Sequence, residues 1–543
     1  MAELVITNGD IRTLDPLRPR VSALLIRAGR IVATGDDAMV RTMASPGCPV
    51  IDAGGRLVLP GFQDTHIHLQ ESGTRQAFDL DLAGILSLPE LKQKLAGFAS
   101  AHPDRAWING HGWYTGVFND HNLTRQVLDE VVPGRPVHLS SSDYHSAIIN
   151  SKACAEIGLD ASVSDPHNGY FSRDAAGVPT GMLNEKAMDW ARDRMPRTTD
   201  ADYEEGVRWG QRHANQHGFT GVLDALVTAR HLRVYDALDR RGELTVRVAS
   251  TALVEPSDSV KEALERIQGF RRDYHSAMLK VHSAKFFLDG VFENRTAAMI
   301  DGYKDGPGGN APVMFGENHL RELFIAFDAA RFQIHCHVIG DKAVRAALDG
   351  LEAAREVNGD WPSLHQLAHV QVVRPEDIPR FGKLGVMANI QALWARNEPS
   401  VTDVAIPMAG PALAAWHYPF RSIIDAGGGF ALSSDWGVST LNPFRIIQTA
   451  ITRQPPGKGR DHPPFLPEQR MTLAESIKGY TVNAAAAAWR SADTGSLEAG
   501  KYADLIVLDQ NLFEIDVYDI HKTQVLLTMV GGKEVWRDPG FAG

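Results

Sequence analysis

The sequence predicts an α/β protein. It reads as a (β/α)₈ TIM barrel with a small β-sandwich formed from both chain termini and a large insertion after barrel strand 1. Three observations predict it. Strand-like runs alternate with helix-like runs through the middle of the chain. Eight such runs occur, the number a closed parallel barrel requires. Both ends of the chain read as short strands separated by turn residues.

The opening runs ELVITNG, IRTLD, SALLIRAG and RIVATGD are broken by Asn-Gly, Asp-Pro and Ala-Gly-Arg turns. The closing runs ADLIVLD, TQVLLTMVGG and KEVWRD match them in character. Chain termini often lie close together, so residues 1–58 and 490–543 are expected to share one sandwich. The barrel candidates are 57–69, 218–226, 245–253, 279–290, 332–341, 364–373, 385–394 and 429–438. The barrel is expected over 59–489, longer than the ~250 residues usual for the fold. The excess falls at about 72–210, predicted to be an inserted lid or subdomain.

With 543 residues, 44% of them hydrophobic and 22% charged, the chain has a globular composition. Its net charge of −11 argues against a polyanionic partner, so nucleic acid is not expected. Cys48, Cys154 and Cys336 form no CxxC pair and no disulfide framework is expected. No apolar run approaches the roughly 18–20 residues of a membrane span. The first residues lack a basic segment followed by an apolar core. A cytoplasmic protein with a small-molecule substrate and no membrane partner is the expectation; homo-oligomerisation is left open.

His66-Ile67-His68 closes the first barrel run, and alternate residues on a strand face the same way. Two imidazoles held together suit a divalent ion such as Zn²⁺. An isolated HxH is a weak signal. Here the fifth run adds His335 and His337, the sixth His369 and the eighth Asp435, each towards the C-terminal end where barrel sites are built. Cys336 lies between two histidines and should point behind the barrel wall. A lysine in the lumen, Lys285, needs its charge removed or paired. Carbamylation by CO₂ is one solution; a salt bridge to Asp289 is the other. No G-x-S-x-G elbow and no G-x-G-x-x-G after the first strand support a serine hydrolase or a dinucleotide enzyme.

The stretches PGFQDTHIHL, AKFFLDG, HVIGD, AHVQ, SSDWG and GSLEAGKYADLIVLD resemble the amidohydrolase superfamily. More narrowly they resemble the amidohydrolase-3 family, which includes YtcJ-like proteins and N-substituted formamide deformylases. NGHGWY and DYHSAIINSKA in the insertion carry the same resemblance. It implies that His66 and His68 bind one metal, that Lys285 as N6-carboxylysine bridges to a second, and that His337 and His369 bind that second ion. Asp435 would bind or face the first metal and act as proton shuttle. The metal is expected to be Zn²⁺, one or two per subunit, with Mn²⁺ and Fe²⁺ as alternatives. His335 matches no ligand position. Relatives often read Glu-His on the sixth strand and Gly-Ser-Asp-Trp-Pro on the eighth; this chain has Ala368-His369 and Ser433-Ser434-Asp435-Trp436-Gly437.

The expected reaction is hydrolysis of an amide-like C–N bond (N-substituted formamide, amide, carbamate or urea) by a metal-activated hydroxide. His145 is the candidate donor to the developing oxyanion. Trp113, Tyr114, Tyr144, Trp394 and Trp436 are candidate pocket residues for an apolar substituent. The alternative is a non-hydrolytic lyase or isomerase on the same scaffold.

Overall fold

The computed structural model describes residues 3–142, 146–167 and 169–543. It divides into two compact units, Met1–Leu69 with Gln211–Gly543, and Gln70–Gly210.

The first unit contains an eight-stranded parallel sheet. Its strands are β1 (Phe62–Ile67), β2 (Phe219–Val227), β3 (Arg247–Leu253), β4 (Leu279–Phe287), β5 (Gln333–Val338), β6 (Gln366–His369), β7 (Met387–Ile390) and β8 (Gly429–Leu432). Neighbours in space are neighbours in sequence, as right-handed βα crossovers dictate. Each of the eight runs read from the sequence contributes one strand. The ring is drawn together between its ends: Thr65 Oγ1 donates to the Leu432 carbonyl at 3.0 Å, and the Asp435 N–H donates to the His66 carbonyl at 2.9 Å.

Helices follow the strands because the intervening sequence is amphipathic and capped. Ser259 and Glu262 form a capping box at the start of the helix Val260–Asp273 after β3. In Asp341–Asn358, after β5, Val344, Ala347, Leu348, Leu351 and Ala354 make one buried stripe.

The run 57–69 divides in two. Leu57–Pro60 belongs to a terminal sheet, and the barrel strand begins only at Phe62. That terminal sheet has six strands, in which Leu57–Pro60 pairs antiparallel with Leu505–Leu508, so both ends of the chain share one ladder. A four-stranded sheet of residues 3–7, 23–27, 30–35 and 50–52 packs on it. Ile6, Leu24 and Ile26 of the smaller sheet and Val58, Leu505 and Leu527 of the larger lie in one buried cluster. Arg247 on β3 makes a buried bidentate pair with Asp504 beside these strands, at 2.7 and 3.0 Å.

The second unit has its own six-stranded mixed sheet, running 169–173, 179–185, 146–149, 137–141, 108–113 and 80–81. Its core includes Leu91, Leu95, Ile108, Trp113 and Leu139. No helix among the described residues is long and apolar enough to cross a membrane.

Candidate metal centre

The C-terminal ends of β1, β4, β5, β6 and β8 bring together five imidazoles, a carboxyl group and an amine. One nitrogen each of His66 and His369 and one oxygen of Asp435 lie within 4.8 Å of one another, and all three residues are buried. His68, just past β1, places Nε2 3.3 Å from Asp435 Oδ1, and His66 places Nε2 3.8 Å from the same oxygen. The His337 ring lies 4.4 Å from that of His369.

Lys285 is fully buried on β4, and its Nζ has no hydrogen-bond partner among the described residues; it sits 4.5 Å from the Phe287 ring centre. The salt bridge to Asp289 weighed from the sequence does not form. β4 ends at Phe287, and beyond it the Asp289 carboxyl turns to accept backbone N–H groups of Ala298, Ile339 and Gly340 at 2.8–3.0 Å.

Burial sets the protonation of the cluster. It holds His66, His335 and His369 well below the ordinary imidazole value, with neighbouring positive groups adding to the effect. It lowers His337 to about 4 and Lys285 to about 8. Rings held neutral keep a lone pair free, the state a metal ion needs. Asp435 Oδ1 is buried and accepts no hydrogen bond among the described residues. Neutral imidazoles, an unsatisfied carboxyl oxygen and an unpaired amine fit a divalent cation by donor chemistry and by spacing.

Backbone strain is present at the site. His369, Val370 and Asp435 take φ of 77°, 42° and 54°, the left-handed region that side-chain-bearing residues avoid. Such strain costs on the order of 1–3 kcal/mol per residue and persists only where the surroundings enforce it.

A polar network inside the barrel was not anticipated from the sequence. His369 Nδ1 meets Gln391 Oε1 at 2.9 Å. Gln391 Nε2 donates to Asn389 Oδ1 and Ser433 Oγ, and Asn389 Nδ2 donates to Thr65 and Gln366. Asp64 beneath His66 accepts from the His66 and Ser434 backbone N–H groups. Burial pushes its carboxyl up to about 7, against the pull of those donors. The available signal was polar residues at alternate positions of apolar strands, such as Asn389 and Gln391.

Of the pocket candidates, Trp394 is half-buried and stacks on His369 at 5.2 Å and 12°. Trp436 is buried against His213, and its carbonyl accepts from His68 N–H. Trp113 is corrected: it is a core residue of the second unit, 1% exposed, with its indole N–H bonded to the Leu139 carbonyl. Tyr114 is exposed. Tyr144 and His145 lie outside the described residues. Cys336 is fully buried, and burial raises its thiol far above the ordinary value, which leaves no accessible thiolate.

Comparison with known proteins agrees with this architecture. Residues 49–536 match the amidohydrolase family model (Amidohydro_3), and the chain belongs to that family. It is 28% identical to Protein LONG AFTER FAR-RED 3 of Arabidopsis thaliana, across 99% of this chain and 92% of that one. It is 27% identical to the N-substituted formamide deformylase of Arthrobacter pascens, across 98% of each chain. Among solved structures, an uncharacterized metal-dependent hydrolase from Pyrococcus furiosus superposes with a TM-score of 0.76 at 25% identity, covering 94% of this chain and 99% of that one.

Proposed function

We propose that the protein is a divalent-metal hydrolase that cleaves the C–N bond of an amide-like substrate: an N-substituted formamide, amide, carbamate or urea. The observation that carries this reading is the convergence of His66, His369 and Asp435 within 4.8 Å at the C-terminal end of the barrel. The name of the Arthrobacter pascens relative supports the substrate class.

His66, His68, His337, His369 and Asp435 would hold the metal, with Lys285 joining them as a carboxylate. Lys285 is suited to that modification because a buried amine lowered to about 8, with no hydrogen-bond partner among the described residues, has a far larger neutral fraction near physiological pH than an ordinary lysine, and CO₂ reacts with the neutral form. When bound, a divalent cation supplies Lewis acidity towards water and towards the substrate carbonyl; Zn²⁺ is the proposed ion. The remaining steps fall to the chain. Asp435, whose Oδ1 accepts no hydrogen bond among the described residues, takes the proton of the attacking water and returns it to the leaving nitrogen. Gln391, held by Asn389 and Ser433, fixes the proton of His369 on Nδ1 and leaves Nε2 with its lone pair. The face of Trp394 beside His369 offers an apolar surface to the substrate.

Protein stripped with a chelator and reconstituted with Zn²⁺, Mn²⁺ or Fe²⁺ tests the reading on a panel of formamides, amides, carbamates and ureas. Turnover should follow metal content, and ¹⁸O from labelled water should enter the new acid. Full activity without metal, or an unlabelled product, would refute it.

A further inference from the structure

β5 carries two histidines on the same side, and the metal reading above uses only His337. His335 lies deeper, in register with Lys285 on β4 and fully buried. Its Nε2 is 2.9 Å from Nδ1 of His66, with the rings 4.9 Å apart and inclined at 53°. The opposite nitrogen of His66, Nε2, faces Asp435 Oδ1. His66 is therefore held between a carboxyl oxygen at the candidate centre and an imidazole behind it.

A hydrogen bond between two neutral imidazoles requires an N–H on one and a lone pair on the other. For His66 to offer its Nε2 lone pair to a metal ion shared with Asp435, its proton must sit on Nδ1. That proton points at His335 Nε2, which must then be the acceptor. His335 in turn carries its own proton on Nδ1, a buried atom with no hydrogen-bond partner among the described residues. The two tautomers are linked: reversing either one puts two N–H groups or two lone pairs face to face.

We propose that His335 is a positioning residue that accepts the Nδ1 proton of His66, presetting the tautomer and ring angle with which His66 presents Nε2 to a metal ion. The inference rests on the metal-dependent reading above. Two neighbouring rings have their own supports: His369 has Gln391, and His337 has the Gly290 carbonyl at 3.2 Å. Loss of such a support typically weakens metal binding about 10–100-fold.

The experiment titrates metal-free wild-type, His335→Phe and His335→Gln proteins with Zn²⁺ against a competing chelator, with circular dichroism as the folding control. Phenylalanine keeps a ring but removes the acceptor; glutamine returns an acceptor oxygen near the Nε2 position. The expected result is about 10–100-fold weaker binding for His335→Phe and recovery to within about threefold of wild type for His335→Gln. Unchanged affinity in His335→Phe, or equal loss in both variants, would overturn the proposal. Should the phenylalanine variant fail to fold, ¹⁵N-histidine spectra of metal-free wild type decide it, with His66 assigned by its loss in His66→Gln. A proton on Nδ1 of His66 is expected, and one on Nε2 sinks the idea. A wild type that binds no divalent ion would instead bring down the metal reading itself.

Discussion

Both carboxyl oxygens of Asp64 lie within hydrogen-bond reach of the Ser434 backbone N–H, at 3.2 and 3.1 Å, where the first and last barrel strands meet. Asp64 also accepts from the His66 N–H at 3.1 Å. One side chain thus ties the segment carrying two candidate ligands to the segment carrying Asp435. Asp64→Ala leaves two backbone donors unsatisfied in the interior, at about 1–3 kcal/mol each. A loss of roughly 2–6 kcal/mol is expected by urea denaturation, together with reduced metal content. Asp64→Asn retains one acceptor oxygen and should lose less. Equal stability of the alanine variant and wild type would show that the junction is held elsewhere.

Asp435→Asn tests the proton shuttle. The amide occupies the same volume but cannot take a proton from water. A fall in kcat of about 10²–10⁴ is expected, with a melting curve close to that of wild type. Activity retained within a few-fold would assign the proton transfers to another group.

Lys285→Ala tests the carboxylated lysine. The variant should bind less metal and lose turnover, and added acetate or propionate should restore part of both. ¹³C-bicarbonate added to wild type should give a carbamate resonance that is absent in the variant. Wild-type metal content in Lys285→Ala would remove the lysine from the centre.

Asp328 offers a pH test away from the site. Burial pushes its carboxyl up, but His365, Asn358 and Trp361 hydrogen bond to it at 2.7–3.0 Å and bring it below its ordinary 3.8. A lowered folded value means that the unfolded chain takes up the proton first. The stabilisation is therefore complete above 3.8 and is lost as pH falls through the lower folded value. Asp328→Asn should flatten the acid limb of the stability curve below about pH 4. At neutral pH it should cost about 1–3 kcal/mol. An unaltered acid limb would contradict this.

The barrel was legible because four of its eight apolar runs end in residues foreign to a core: His66 and His68, His337, His369, Asp435. The strand period then decides which side chains share a face. What escaped were partnerships across the lumen. Asn389 reaches Thr65, 324 positions away, and no local pattern encodes that contact. Trp113 misled for the opposite reason: an aromatic beside polar residues in NGHGWY reads as a pocket residue, yet a register shift between His111 and Trp113 breaks the strand alternation and turns the indole into the core of the second unit. The Lys285–Asp289 alternative assumed an unbroken strand, and the strand stops first.

The ladder joining the two ends of the chain has a consequence for biosynthesis. Asn511 donates to Asp10 across 501 positions, and Arg30 reaches Asp493 across 463. A ribosome must extrude almost the whole polypeptide before the opening strands meet the segments that complete their sheet. Until then their unpaired edges are exposed to other nascent chains. Closing so large a loop is entropically slow, so the clasp should be among the last parts of the molecule to form. Deleting the final strands should strand the first ones and promote aggregation of a chain whose barrel sequence is intact.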